Sequence, residues 1–477
     1  MTEHTDVIVL GVGTGGEEIA GRLAIGGLDV VGIEPELVGG ECAYWACLPT
    51  KMMIRAANLL QEARRVNEMS GHAEVTPDWP RVATLVREQV TGDWDDSLAI
   101  KRFEGRGGRF VRGRGVFTDS RTVAVGEQSF TARRGVVIAT GSKPAVPSIP
   151  GLDQINFWTS RDAVKAEELP RSLLILGGGA VGCELGQVFS RFGVKVTIVE
   201  RSDRLLASEE PEVGEVLRSV FEAEGISVHT GARAESVEAH GNAVRAVLDD
   251  GTELEAERLL VAVGRAVDAD GLGLAAAGVK LADGFIDVDE RLRAADGIWA
   301  MGDVTGKGMF THVAMYQAPI VEAGIRGDSL PPADYRALAR GIFTDPEVGA
   351  VGLSEAEARR AGLEVAVIVK DVPATFRGWL HGPGNEGVIK LVADQKSCVL
   401  VGATSVGPHG GDVLGMLSLA VHARVPIDDL RRMIYAFPAF HGAVGEALGA
   451  FARALVQVLD PKAEFLLEDR VPPSAHV

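Results

Sequence analysis

"DVIVLGVGTGG", Asp6–Gly16, decides the fold of this chain. The residues from Asp6 to Leu10 read as a short buried strand that runs straight into a glycine loop, and a helix follows through Ala24. Each glycine of the G-x-G-x-x-G spacing has a task. Gly11 makes the tight turn, Gly13 lets a pyrophosphate approach the backbone, and Gly16 lets helix and strand pack closely. The helix N-terminus presents free N–H groups and a positive dipole end to phosphate. The next strand, "LDVVGIE", ends at Glu34, whose carboxylate can accept a hydrogen bond from a ribose hydroxyl. A glycine turn with no ligand is the competing reading.

The same grammar returns 166 residues later. "RSLLIL" leads into Gly177, Gly179 and Gly182, a helical "CELGQVFSRFG" follows, and "VKVTIVE" ends at Glu200. Two dinucleotide folds in one chain imply two dinucleotides, and the economical pair is a flavin and a nicotinamide. Glu200 favours an unphosphorylated ribose and so NADH, although Arg201 and Arg204 directly behind it suit a 2′-phosphate. Between the copies lie a helical hairpin, Lys51 to Arg65 and Trp79 to Phe103, and β-rich stretches reaching "GVVIATGSKP". "RLLVAVGR" and "GIWAMGDV" are strands closing on glycines, and from about Tyr335 the pattern becomes a mixed α+β module.

A chain of 477 residues is too long for one ordinary core. Its 66 carboxylates against 48 Lys and Arg make a polyanion, a poor partner for nucleic acid. The start has no basic n-region, and no run of about 18 apolar residues marks a membrane span. Four cysteines do not make a secreted disulfide scaffold, so a cytoplasmic enzyme is expected.

Two of those cysteines lie in "GGECAYWACLPTK", Gly39–Lys51. On a regular helix, positions five apart are separated by roughly 7.5 Å of rise and ~140° of rotation. A disulfide wants Cα atoms within about 7 Å, so a bond between Cys42 and Cys47 requires a distorted backbone. Strained, accessible disulfides are the reducible kind. The pair also precedes a helix, whose N-terminus favours thiolate. A zinc half-site needs a second ligand pair, which the single Cys183 and Cys398 do not supply, so no metal is expected. Two unrelated buried thiols remain the alternative.

Taken in order, "GVGTGG…E", "GGECAYWACLPTK", "ATGSKP", "GGGAVGCE…VTIVE", "VAVGR", "IWAMGDV" and "GIFTDPEVGAVGLSEAEAR" resemble the pyridine nucleotide–disulfide oxidoreductases, a family that includes dihydrolipoamide dehydrogenase, glutathione reductase and mercuric reductase. The resemblance runs from Asp6 to about Leu459. It implies an α/β fold with two Rossmann-like dinucleotide-binding domains, for FAD and NAD(P), and a C-terminal α+β dimerisation domain. The expected boundaries are 1–150 and 267–334 for the FAD domain, 151–266 for the NAD(P) domain, 335–462 for the dimerisation domain and 463–477 for a flexible tail. Position by position, the family pattern puts Gly11, Gly13, Gly16, Glu34, Lys51, Thr140, Gly141, Asp303 and His312 on FAD. Gly177, Gly179, Gly182, Glu200 and Gly264 fall on the nicotinamide nucleotide. Cys47 would be the thiolate facing the flavin, Cys42 the interchange thiol that meets substrate, and Glu184 the partner of Lys51. The resemblance thus implies an enzyme that passes electrons from NAD(P)H through FAD to a Cys42–Cys47 disulfide and on to a small-molecule acceptor. It also implies a homodimer whose active site is shared between subunits.

One departure bears on the acceptor. Members that handle thiols carry a His before a proline near the C-terminus and a Glu further on; here Phe437 precedes Pro438 and Gly442 takes the Glu position. Phenylalanine carries no proton, and losing a general acid–base costs a factor of about 10² to 10⁴. His441 is the candidate replacement. The stretch loosely resembles the Phe and His of the family's ketopropyl-coenzyme M carboxylase, and a quinone reductase working directly from flavin is a further alternative. Mercuric reductase carries a C-terminal cysteine pair that this tail lacks.

Overall fold

The computed structural model describes residues 2–449; the expected tail and the end of the dimerisation domain lie outside them. The quoted stretch is the central strand β1, Thr2–Leu10, followed by helix α1, Thr14–Ile25, and strand β2, Val30–Glu34. The second half of β1, Val7–Leu10, reads as an unbroken apolar run because both of its faces are covered. Val7 and Val9 pack on one side with Ile19 and Leu23 of α1, while Ile8 and Leu10 join Val31, Ile33 and Ile138 on the other. Each such side chain, fully buried, contributes roughly 1.5–3 kcal/mol.

The sheet runs in the order Arg293–Ala295, Ile298–Ala300, Gln128–Ile138, β1, β2 and β3, Arg109–Arg112. Along this path only the first pairing is antiparallel; off it, Thr122–Val125 pairs antiparallel with both Gln128–Ile138 and Val116–Phe117. The carboxyl ends of its parallel strands therefore lie together, and that rim is where ligands of open α/β sheets bind.

The chain divides into two units. One holds the residues up to Ala56, Asp78–Gly177 and Ala234–Tyr335; the other holds Ala57–Pro77, Gly178–Arg233 and the chain from Arg336. The division runs through the second glycine loop. In the first unit Ser172–Leu176 pairs in parallel with Arg258–Val261, and in the second Lys195–Glu200 pairs in parallel with Ser227–Thr230. The second unit also carries a five-stranded antiparallel sheet, Ala339–Ile342, Glu347–Gly352, Val399–Gly407, Val388–Asp394 and Val365–Asp371. The apolar residues Val413, Leu414 and Leu417 of the helix Gly410–His422 pack against it. This is the mixed α+β module the sequence predicts.

One expectation needs correction. Trp79 to Phe103 is not a continuous helical arm. A helix over Trp79–Thr84 passes into a π-helical turn, Leu85–Val90, and a new helix begins only at Ser97. Gly92, Asp93 and Trp94 lie between, all with φ near +57°. That left-handed stretch is unfavourable for Asp and Trp, and it turns the Trp94 indole back to donate to the Tyr44 carbonyl at 3.3 Å.

Candidate functional site

Gly11 has φ +86°, and a Cβ there would fall 2.4 Å from the Ala139 carbonyl oxygen. Gly177 repeats this at φ +111°, with the Ala262 oxygen at 2.4 Å. A Cβ on Gly16 would lie 1.9 Å from the Gly11 oxygen, so helix and loop touch as the spacing predicts.

The two strand-end glutamates also match. Glu34 accepts from the Val12 N–H at 2.9 Å and the Glu36 N–H at 2.8 Å; Glu200 accepts from the Gly178 N–H at 2.6 Å and the Ser202 N–H at 2.7 Å. Each carboxylate therefore holds its own glycine loop, a task the sequence reading did not assign to it. Burial pushes the Glu34 carboxyl up, and the two N–H donors oppose this.

Thr140 and Gly141 follow the strand Gln128–Ile138, and Asp303 follows Ile298–Ala300, so Gly11, Glu34, Thr140, Gly141 and Asp303 all lie at one rim of the sheet. Asp303 accepts from the Ser142 hydroxyl at 2.5 Å. His312 stacks on Phe310 at the start of the helix Thr311–Arg326. The rim fits an FAD: the Thr140 hydroxyl is buried without a protein partner, and a Cβ on Gly141, at φ +68°, would meet nothing within 4 Å. On the second dinucleotide fold, Gly179 caps the helix Ala180–Arg191, Gly182 is buried within it, and a Cβ on Gly264 would also meet open space.

The cysteine pair meets because the helix between them is broken. Helix α2, Gly40–Tyr44, carries Cys42; helix α3, Cys47–Met69, starts at Cys47. The N–H groups of Trp45 and Ala46 both donate to the Glu41 carbonyl at 2.8 Å, which closes the turn between the sulfurs. Both thiols are free and half-buried. A hydrogen bond from Cys42 draws Cys47 down to about 6; the Thr311 hydroxyl, 3.4 Å from its sulfur, and the Lys51 charge add to this against burial. The same hydrogen bond and burial push Cys42 up. Sequence reading missed Thr311 and Thr14, whose hydroxyls reach the thiols, because no spacing marks a hydroxyl as a partner of sulfur.

The sign of the pH dependence follows. An unperturbed thiol titrates near about 8.5. Depression of Cys47 in the fold stabilises the reduced protein above that value, and the contribution is lost as pH falls through about 6. Thiolate ultraviolet absorbance of the reduced protein, taken as the difference from Cys47→Ser, should show its inflection near pH 6. An inflection at the unperturbed value would contradict the arrangement.

In the other unit, Glu184 is buried and accepts from the Phe343 N–H at 2.8 Å. Phe437 is 75% exposed and meets the edge of Phe376, while His441 lies beside Tyr435, its ring 6.1 Å away. Among the described residues no helix is long and apolar enough to cross a membrane.

Comparison with known proteins agrees with this geometry. Residues 5–318 match the family described as pyridine nucleotide-disulphide oxidoreductase, and residues 338–448 match its dimerisation domain. The chain is 34% identical to a dihydrolipoyl dehydrogenase of Haloferax volcanii over 93% of this chain and 95% of that one. It is 32% identical to a mercuric reductase of Staphylococcus aureus over 89% and 78%. Among solved structures, LpdA from Mycobacterium tuberculosis superposes with a TM-score of 0.82 at 25% identity, covering 94% of this chain and 99% of that one. The HOCl-induced flavoprotein disulfide reductase RclA from Escherichia coli superposes with a TM-score of 0.77 at 26% identity, covering 93% and 99%.

Proposed function

We infer that this chain, which belongs to the pyridine nucleotide-disulphide oxidoreductase family, takes electrons from NADH and delivers them through the Cys42–Cys47 couple to a small-molecule acceptor. The family is FAD-dependent, uses NAD(P)H, and includes the dihydrolipoyl dehydrogenases this chain is like. The single observation that carries the finer reading is the break between α2 and α3 that turns Cys42 toward Cys47, with the Thr311 hydroxyl 3.4 Å from the Cys47 sulfur; in that setting Cys47 is drawn down and Cys42 pushed up.

FAD, when bound, supplies the two-electron carrier between nicotinamide and sulfur. Gly11, Gly13, Gly16, Glu34, Thr140, Gly141, Asp303 and His312 would hold it, and Gly177, Gly179, Gly182, Glu200 and Gly264 would hold NADH. Lys51 would place its charge near the reacting sulfur, with Glu184 as its partner. With a disulfide as acceptor, Cys42 would give up its proton to the Cys47 thiolate and attack one acceptor sulfur, breaking the acceptor's S–S bond and releasing its first thiol. Cys47, deprotonated again, would then attack the Cys42 sulfur and release the second thiol as the intramolecular disulfide forms. With Phe437 in the acid–base position, ordinary dihydrolipoamide is a poor fit, and His441 is the remaining proton carrier on that segment. The dimerisation match supports a homodimer, and sparing cysteine use supports a cytoplasmic location.

Preference for NADH rests on Glu200 and on the commitment of Arg204. One guanidinium nitrogen donates to Asp203 at 3.0 Å and another to the Ala207 carbonyl at 3.0 Å, so both terminal nitrogens of Arg204 are engaged inside its own loop, and the unpartnered Nε is buried. Anaerobic titration of the purified protein, monitored at the flavin absorbance, tests both parts. About two NADH per chain should be consumed, one for FAD and one for the disulfide. NADPH should react at least about tenfold less efficiently. Uptake of a single equivalent would remove the disulfide from the path, and equal use of NADPH would remove Glu200 as the selector.

A further inference from the structure

We propose that Glu41 is a positioning residue, whose two arginine partners hold the turn carrying Cys42 so that its thiol stays against Cys47. This rests on the reading of Cys42–Cys47 as the redox couple.

Helix α2 has five residues, a left-handed Gly39 as its N-cap and no side-chain cap. So short a helix has almost no stability of its own, and its place must be set by contacts outside it. Glu41 supplies them. One carboxylate oxygen accepts from Arg161 Nε at 2.7 Å and lies 2.5 Å from Arg161 Nη2; the other makes an ion pair with Arg265 Nη2 at 2.9 Å without the alignment of a hydrogen bond. Arg161 comes from the short helix Ser160–Val164, where it also pairs with Glu36 at 2.9 Å and lies over the Trp45 ring at 5.3 Å. Arg265 comes from the two-residue strand paired with Lys143–Pro144, and it donates to the Ser142 hydroxyl at 2.6 Å and carbonyl at 2.7 Å.

The carboxylate is thus oriented by the hydrogen bond from Arg161 and held by the charge of Arg265, both guanidiniums themselves held in place. Its own carbonyl accepts the two N–H groups that end α2 before α3 starts. On the far side of the turn, Trp45 stacks on Trp94 at 5.8 Å, and the Lys165 ammonium lies over both rings. The segment between the sulfurs is clamped at both ends, and Glu41 is the clamp adjoining Cys42.

The sign of one measurement separates positioning from direct electrostatics. A carboxylate acting on Cys47 through its charge alone disfavours the thiolate, so neutralising it would lower the thiolate inflection. A carboxylate that holds Cys42 in place sustains the hydrogen bond to Cys47, so neutralising it raises the inflection. The experiment uses the full chain with FAD, reduced, and follows thiolate absorbance against pH relative to Cys47→Ser in each background. Glu41→Gln, nearly the same shape, should raise the inflection by about one pH unit, cutting the thiolate fraction at pH 6 about fivefold. Glu41→Ala should raise it further, and Glu41→Asp should bring it back toward the parent. If Glu41→Ala does not fold, Glu41→Gln carries the test alone. A Glu41→Gln inflection that stays or falls, whatever happens to Tm, overturns the positioning role while leaving the couple intact. A parent protein with no inflection below that of an ordinary thiol overturns the couple, and the role of Glu41 with it.

Discussion

Cys42→Ser should abolish reduction of any disulfide acceptor, by about three orders of magnitude or more, while NADH-dependent reduction of a quinone or dye persists. The asymmetry follows from which atoms each reaction needs. A disulfide acceptor is opened by attack of a sulfur, which releases its first thiol, and closing the intramolecular disulfide afterwards releases the second, two electrons having passed in all. A serine oxygen can form neither bond. A quinone that takes electrons directly from the flavin needs no sulfur. Cys42→Ala, which unlike serine leaves no hydrogen-bond donor, removes the leading cause of the low Cys47 value, so in that variant the Cys47 inflection should rise from about 6. Disulfide turnover that survives in Cys42→Ser would leave the flavin-edge reductase as the better account.

Lys390→Met should destabilise the protein by about 3–5 kcal/mol, read as a fall in Tm of roughly 5–15 °C. Lys390 is 3% exposed on the strand Val388–Asp394, with Glu210, Glu212 and Glu355 at 3.0, 2.9 and 3.1 Å. Burial disfavours the ammonium, yet the three carboxylates hold it above its ordinary value, so it stays charged. Two of the carboxylates belong to the start of the helix Pro211–Ala223, and the third opens the helix Glu355–Arg360, whose first N–H also donates to Glu210 at 2.6 Å. Methionine fills similar space but leaves Glu210 and Glu212 without their cation, while Glu355 keeps Arg359 at 2.9 Å. Lys390 holds the Glu355 carboxyl below its ordinary value, so that part of the loss should shrink as Glu355 protonates at acid pH. A fall in Tm of only a degree or two at neutral pH would show that the carboxylates find water or other donors.

Much of this was legible in order along the chain. The glycine spacing, the strands that flank it and the glutamates at their ends are local patterns, because a turn, a close approach and a helix start each depend on a few neighbouring residues. That locality is why both dinucleotide folds and the α+β module could be read before any coordinates. Even the need for a broken helix between Cys42 and Cys47 followed from helix geometry alone, and the break at Trp45–Ala46 met it.

Other features exist only once distant segments meet. No spacing joins Cys47 to Thr311, or Glu41 to Arg161 and Arg265, which come from later strands and helices. The Trp79–Phe103 arm was misread for a related reason: its composition suits a helix, but left-handed Gly92, Asp93 and Trp94 interrupt it where Trp94 stacks on Trp45, a contact from a distant segment. The sequence by itself determined the architecture and the chemistry available, since both rest on short-range sterics and residue type. The thiolate's environment was decided only in the tertiary structure, because hydrogen bonds and charge act over a few ångströms of space, whatever the separation along the chain.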